Sequence, residues 1–268
     1  MDELSERRAS VLAELDGLRW EIDATAGQGT LIFDRPPLNV VSFAARAQLA
    51  AILEELDAHA DVRVIVIRGA NGVFSSGGDI AGFQKVPADG MADLAWAVAA
   101  PERCRKPVIA AMERYAMGVA FEIALACDFR IAAEGTAFAL PEIDLGAIPG
   151  SGGTQRLARI AGLGRAKEMI MRGRRIGVAE AEAWGLVAET VPAGGLDDAL
   201  ARWVADLAAR PGIPLATLKQ VLNETYETPL SAGLRSEGQA FEKIRFGEAF
   251  SRGIEAFLNK KKPDFSDL

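Results

Sequence analysis

The chain has 268 residues, half of them apolar and a quarter charged, which suffices for one large domain or for a domain with an appendage. Its formal net charge of −7 would repel nucleic acid and anionic membranes, so neither is an expected partner. Every apolar run is far shorter than the roughly 20 residues of a membrane-spanning helix, so none is predicted.

The N-terminus and the cysteines indicate the cellular compartment. Residues 1–18 are charged and helix-prone and lack the apolar centre of a secretory signal. Cys104 and Cys127 are the two cysteines, too few for a disulfide framework, and Cys127 fits a small buried apolar residue. We therefore expect a reducing, cytoplasmic location.

The first half of the chain alternates strand and helix patterns. Residues 20–23 and 30–33 predict a hairpin, with a turn-prone segment between them. A helical spacing of apolar residues over 42–59 follows, with Ser42 as N-cap, and then a β-branched strand over 62–67.

The alternation continues beyond residue 100. Strands are predicted over 108–112, 129–132, 137–140 and 186–191, and helices over 118–126, 150–160 and 179–184. Gly185 is placed as the stop of the last of these helices. Short strands that return with helices between them predict an α/β spiral of parallel strands.

From residue 195 onward the strand signal fades and helical spacing takes over, with a break at Pro211 and Pro214. The predicted organisation is therefore a spiral core over 1–194 and a C-terminal helical region over 195–268.

Four segments contain residues that could carry chemistry. They are FSSGGD at 74–79, MGVAFE at 117–122, PE at 141–142 and PGSGG at 149–153. Taken singly, each is as well explained by a tight turn or a helix start. None has the Lys-Ser/Thr ending of a phosphate-binding loop or the G-x-G-x-x-G spacing of a dinucleotide site. The single histidine, His59, lacks a nearby serine or second ligand, so neither a Ser-His-Asp triad nor a metal site is predicted.

Together, the order and flanking strings of these segments resemble the crotonase (enoyl-CoA hydratase/isomerase) family over 30–192, with a weaker likeness over 257–265. The strings that carry the likeness are FSSGGDI, KPVIAAMERYAMGVAFEIALACD and ALPEIDLGAIPGSGGTQRLAR. The resemblance implies a crotonase-like spiral of repeated ββα turns with a C-terminal helical region, and an acyl-CoA thioester as substrate.

The resemblance also implies roles for individual residues. Glu122 and Glu142 would be the acid/base pair, and the backbone N–H groups of Ser76 and Val119 would form the oxyanion hole. Val119 has independent support, because the first N–H groups of a helix lack intrahelical acceptors. The substrate and CoA contacts implied are Gly77, Gly78, Asp79, Gly118, Gly150 and Lys260. The N–H group of Gly150 would help to hold the attacking water.

Two departures from the family pattern bear on the pocket. Glu113-Arg114 stands where an Asn-Gly turn is usual, and Gly118-Val119-Ala120 stands where three glycines are usual. A backbone donor survives a change of side chain, but Val119 adds bulk near the acyl group. We therefore expect a restricted or unusual acyl substrate.

Three functions remain open from the sequence. The first is hydration of a trans-2-enoyl-CoA to a 3-hydroxyacyl-CoA, with no metal and no cofactor besides the CoA of the substrate. The second is isomerisation or another crotonase reaction, for which Glu142 alone could suffice, and the third is a non-catalytic scaffold. The resemblance further implies a homotrimer or a dimer of trimers built through the C-terminal helices.

Overall fold

The computed structural model describes residues 11–83 and 91–268, and the side chains of 91–94 are excluded. Most of the helix predicted at the N-terminus therefore lies outside the described residues.

Nine strands are present in the described part of the chain. They are β1 (Leu18–Asp23), β2 (Gln28–Phe33), β3 (Val64–Gly69), β4 (Val108–Met112), β5 (Tyr115–Met117), β6 (Phe129–Ala133), β7 (Ala137–Ala139), β8 (Ile176–Gly177) and β9 (Glu189–Val191). The α-helices are α1 (Phe43–Ala58), α2 (Met91–Val98), α3 (Ala100–Arg103), α4 (Val119–Ala126), α5 (Gly153–Ala161), α6 (Leu163–Met171), α7 (Val178–Ala183), α8 (Leu196–Ala208), α9 (Gly212–Asn223), α10 (Leu230–Ile244) and α11 (Glu248–Leu258).

The larger sheet has six strands in the order β1-β2-β3-β4-β6-β9. The predicted hairpin is present, since β1 and β2 pair antiparallel, and every later pairing in this sheet is parallel. The strands β3 and β4 are almost wholly buried, which explains why they are continuous apolar runs rather than alternating ones. The α/β spiral with a helical C-terminal region is confirmed.

A smaller sheet joins β5, β7 and β8, with β5 and β7 parallel. The strands β5 and β8 are too short, at three and two residues, to give a pattern, and the sequence did not predict them. This sheet matters for the site, because β5 leads into Gly118 and β7 leads into Pro141 and Glu142.

Several predicted boundaries are displaced in the structure. The strand predicted over 62–67 runs from Val64 to Gly69, and the one predicted over 186–191 begins only at Glu189. Helix α5 begins at Gly153 rather than at residue 150, and α6 was not predicted. Ser42 is the N-cap of α1, as predicted, and its hydroxyl accepts the Ala45 N–H. Gly185 follows the end of α7, as predicted, with φ of +75°.

Helices cover both faces of the larger sheet. Helix α1 packs its buried side chains, among them Leu49, Ile52 and Leu53, against one face. Helix α8 packs Leu200 and Val204 against the other. The predicted boundary at residue 195 thus precedes a helix that packs on the core. Within the described ranges, no helix is long and apolar enough to cross a membrane.

Candidate active site

The segment after β3 runs alongside β5 and brings the first glycine-rich loop to the start of α4. The Phe74 N–H donates to Glu113 O and the Ser75 N–H to Tyr115 O, each at 2.9 Å. A Cβ atom on residue 77 would lie 2.9 Å from Met117 O, and Gly77 has φ of +111°. The close approach of these two segments therefore requires glycine at this position.

The backbone N–H groups of this loop differ in whether they have acceptors. The Ser76 N–H donates to Leu38 O at 2.9 Å and the Gly77 N–H to Ser75 Oγ at 3.1 Å. The predicted donor Ser76 is therefore already engaged, because the loop is bound to the segment before α1. The Gly78 N–H has no acceptor among the described residues, so it replaces Ser76 as the candidate donor.

The second backbone donor lies at the N-terminus of α4. Gly118 is the N-cap, with φ of 51° and ψ of −131°, a conformation open to glycine alone. Val119 is the first helical residue, so its N–H has no intrahelical acceptor, and none of the described residues provides another. A Cβ atom on residue 78 would lie 3.7 Å from Val119 Cγ1, so the two donors lie close together.

The Glu122 carboxylate is held by a second loop at the start of α5. Its side chain is 2% exposed, and Oε1 accepts the N–H groups of Ser151 and Gly153, each at 2.8 Å. Burial raises the pKa of Glu122, and the two N–H bonds and the Arg46 charge oppose this rise. The two N–H bonds orient the Glu122 carboxyl group and partly offset the effect of its burial.

Glu142 differs from Glu122 in its hydrogen bonds. It begins the 3₁₀ turn Glu142–Leu145 after β7, and its Oε2 is buried with no hydrogen-bond partner within residues 11–83 and 91–268. A Cβ atom on residue 118 would lie 3.2 Å from Glu142 Oε1, which places this carboxyl against the second donor loop. Burial raises the pKa of Glu142 to about 7, the Glu122 charge adds to the rise, and its own backbone N–H and Arg46 oppose it.

Comparison with known proteins gives the family. Residues 24–268 match the model of the enoyl-CoA hydratase/isomerase family. The chain belongs to this family.

Relatives and solved structures of the enoyl-CoA hydratase/isomerase family cover nearly the whole chain. The "Probable enoyl-CoA hydratase" of Rhizobium meliloti (strain 1021) is 38% identical over 88% of this chain and 93% of its own length. A "Probable enoyl-CoA hydratase" of Mycobacterium bovis is 36% identical over 89% and 94%. The crystal structure of an enoyl-CoA hydratase from Bacillus anthracis aligns with a TM-score of 0.86 and 32% identity, covering 94% of this chain and all of that one.

The structure brings a further residue close to the two glutamates of the candidate site. Arg46 on α1 is 5% exposed, and its charge acts on both Glu122 and Glu142. The sequence held a signal for it, since Arg46 lies on the same helix face as Leu49 and Leu53, where an apolar residue is expected.

Of the other predicted contacts, Asp79 lies beside the first loop, where its Oδ1 accepts the Gly82 N–H at 3.1 Å and closes a turn. Gly150 is exposed and immediately precedes the Ser151 N–H that binds Glu122. Lys260 follows α11 and is exposed, and no hydrogen bond or ion pair of the described residues joins it to either glutamate. The roles predicted for Gly150 and Lys260 stay predictions.

Proposed function

We propose that the protein is an enoyl-CoA hydratase, which adds water across the 2,3-double bond of a trans-2-enoyl-CoA to give a 3-hydroxyacyl-CoA. The observation that carries this proposal is the asymmetry of the two glutamates. Two backbone N–H groups hold Glu122, whereas the buried Oε2 of Glu142 has no hydrogen-bond partner among the described residues. Two carboxyl groups in such different environments suit a base and an acid.

In the proposed reaction, the thioester carbonyl oxygen accepts the N–H groups of Gly78 and Val119. As water attacks C3, negative charge gathers on this oxygen, and donors already in place stabilise it without reorganisation. Removing one donor of this kind costs about 3 kcal/mol of transition-state stabilisation in other enzymes. Gly77 and Gly118 contribute by allowing the two loops to approach each other.

The proton transfers follow from the positions of the carboxyl groups. The Glu122 carboxylate takes one proton of the water as the oxygen bonds to C3, and the Glu142 carboxyl gives its proton to C2. The product gains one water, and exchange of protons with solvent returns both carboxyls to their starting states. The reaction balances without a metal or a redox cofactor, so we propose neither.

A second candidate, isomerisation of a 3-enoyl-CoA, needs a single carboxyl to move the proton, and Glu142 could serve. The two N–H bonds to Glu122 favour hydration, because they would orient a group that an isomerase does not use. A non-catalytic scaffold would need neither glutamate.

Conjugated enoyl-CoA esters absorb in the ultraviolet and lose this absorbance on hydration, which gives a direct test. We expect the wild type to bleach at least one ester of a panel of chain lengths, and Glu122→Gln and Glu142→Gln to lose about 10²- to 10⁴-fold. Asp144→Asn is the matched control, since Asp144 is an exposed acid of the same turn as Glu142.

Exchange of the proton on C2, the carbon next to the thioester carbonyl, with deuterated water separates the hydratase, the isomerase and the scaffold. Glu122→Gln should retain some exchange, because Glu142 and both donors remain, whereas Glu142→Gln should lose it. Hydration by Glu122→Gln at the wild-type rate would favour the isomerase. A wild type as inert as both variants over the whole panel would favour the scaffold.

We also propose a homotrimer or a dimer of trimers in the cytoplasm, with Lys260 contributing to the CoA site. Large apolar side chains are exposed on the C-terminal helices and beside them, among them Ile213 at 77%, Phe246 at 82% and Phe257 at 79%. Such a surface is typical of an interface between subunits. Sedimentation velocity would contradict the proposal by showing a monomer at micromolar concentration.

A further inference from the structure

Arg46 lies beside the two donor loops. A Cβ atom on residue 78 would lie 3.2 Å from Arg46 Nη2, 3.5 Å from Phe83 Cε2 and 3.7 Å from Val119 Cγ1. The guanidinium therefore lies on the same side as the candidate donors Gly78 and Val119. This is also the side to which Val119 adds its bulk.

The guanidinium has few partners for a buried cation. Its Nη1 donates to Ser151 Oγ at a long 3.4 Å, and its buried Nε has no acceptor in the part of the chain that the structure describes. No carboxylate of the described residues lies within the 4.0 Å of an ion pair with Arg46. Buried charges are ordinarily paired or fully hydrogen-bonded, because desolvation without compensation is costly.

A second buried arginine of the same chain shows the contrast. Arg130 is 9% exposed and donates to the carbonyl oxygens of Leu186 at 2.7 Å, Cys127 at 2.8 Å and Ala124 at 3.2 Å. These bonds tie β6 to the end of α4 and to the turn after α7, which is a structural role. Arg46 lacks such bonds, so the fold leaves its donors available.

Aromatic rings restrict how a ligand could meet this guanidinium. The Arg46 Cζ lies 4.6 Å from the centroid of the Phe43 ring and 5.8 Å from that of Phe83. Stacked rings occupy the face of a guanidinium and leave its N–H groups, which lie in its plane, free to bind. An oxygen atom is the acceptor that suits these N–H groups.

We propose that Arg46 binds an oxygen atom of the acyl group, placed beyond the reacting carbons, so that the substrate is an enoyl thioester with a carbonyl, hydroxyl or carboxylate on its acyl chain. This inference rests on the proposed function, because the acyl group is assigned to this side by the two donors. The inference names a chemical class for the restricted acyl substrate that is expected from the bulk of Val119.

A purely electrostatic role for Arg46 makes different predictions. The Arg46 charge favours the ionised forms of Glu122 and Glu142, and this effect needs the positive charge but not the planar set of donors. Such a role would act equally on every acyl substrate and would change the pH dependence of the rate.

The test compares three enoyl-CoA esters of matched chain length that end in a methyl group, a ketone or a carboxylate. For the wild type we expect kcat/KM to favour one of the two oxygenated esters by about tenfold or more over the methyl ester. In Arg46→Met, the loss on that ester should exceed the loss on the methyl ester by about 30-fold or more, as expected when a site loses its hydrogen bond to the substrate.

Arg46→Lys keeps the positive charge and provides a second test if Arg46→Met fails to fold. It should retain the wild-type pH profile and lose a large part of the preference for the oxygenated ester. The ketone and carboxylate esters decide whether the bound oxygen is neutral or charged. Equal losses on all three esters, with a shifted pH profile, would overturn the proposal.

Calorimetric titration with the corresponding saturated esters measures binding alone, because these esters have no double bond to hydrate. Tighter binding of a saturated oxygenated ester, abolished in Arg46→Met, would support the proposal even if no ester is hydrated and the proposed reaction fails. Equal affinity of the wild type for the methyl and both oxygenated saturated esters would overturn it even if hydration is observed.

Discussion

At the scale of single residues, hydrogen bonds distinguish two carboxyl groups of the same type. Burial raises the pKa of both Glu122 and Glu142, but only Glu122 receives N–H donors from other residues to offset it. Glu142 instead has a buried oxygen without a partner among the described residues, and the Glu122 charge nearby makes a second carboxylate less favourable. The same chemical group therefore has two different environments, which the proposed function assigns to a base and an acid.

This asymmetry predicts how hydration depends on pH. The proposed mechanism needs Glu142 protonated, and its pKa is about 7. We expect kcat/KM for hydration to fall by about tenfold per pH unit above this value. It should also fall on the acid side as the Glu122 base becomes protonated, since burial raises the pKa of Glu122. Glu142→Gln should remove this alkaline limb from the residual rate. A wild-type profile that stays flat from about pH 6 to 9 would contradict the assignment of Glu142 as the acid.

At the scale of secondary-structure elements, the site is built at the starts of two helices. Helix α4 begins after Gly118 and leaves the Val119 N–H without an acceptor, and α5 begins at Gly153, whose N–H binds Glu122. First-turn N–H groups have no intrahelical acceptors, so helix starts provide donors aimed at negative charge. The glycines at these starts allow backbone and carboxylate to come within bonding distance.

A methyl group at residue 153 tests this arrangement. It would lie 2.8 Å from Leu140 Cδ1 and 3.0 Å from Glu122 Oε1, so Gly153→Ala should displace the Glu122 carboxylate. We expect hydration to fall by about 10²-fold, the lower end of the effect of removing a positioned base. A thermal melt should show that the variant remains folded.

Gly164→Ala provides the control, since nothing lies within 4 Å of a Cβ atom there and the residue is on the exposed part of α6. It should keep full activity, and alanine should favour the helix. If Gly153→Ala is as active as this control, the contact between residue 153 and Glu122 has no catalytic importance.

At the scale of the whole molecule, a buried ion pair fastens the C-terminal helices to the core. Lys219 on α9 lies 2.7 Å from Asp128 Oδ2 and donates to Pro101 O at 2.8 Å and to Lys106 O at 3.1 Å. Asp128 also accepts the Val108 N–H at 2.7 Å. The pair therefore connects α9 to the start of β4 and to the turn before β6.

Lys219→Met should leave the Asp128 carboxylate buried without its cation. We expect the free energy of unfolding to fall by about 3 to 5 kcal/mol, the usual cost of breaking such a pair from one side. Chemical denaturation would measure it, with Lys167→Met as the control, because Lys167 is exposed on α6 and should change stability by less than about 0.5 kcal/mol. A loss no larger than that of the control would show that the pair does not hold α9.

The sequence by itself determined the fold class, the hairpin, most of the longer strands and helices, and the family. These features depend on local patterns: a β-branched run in β3, an apolar run in β4, helical spacing and a Ser42 cap in α1, and glycine-rich strings of fixed order. It also placed Glu122 and Glu142 as the candidate pair, because each lies within a string typical of the family.

Only the tertiary structure decided which groups are free to act. Ser76 and Gly78 lie in one loop and look alike in sequence, and the Leu38 carbonyl, 38 residues before Ser76, engages one and leaves the other without an acceptor. Arg46 is 105 residues from Ser151, the one hydrogen-bond partner of its guanidinium among the described residues. Contacts between segments so far apart in the chain leave no local pattern, because they depend on how the sheets and helices pack.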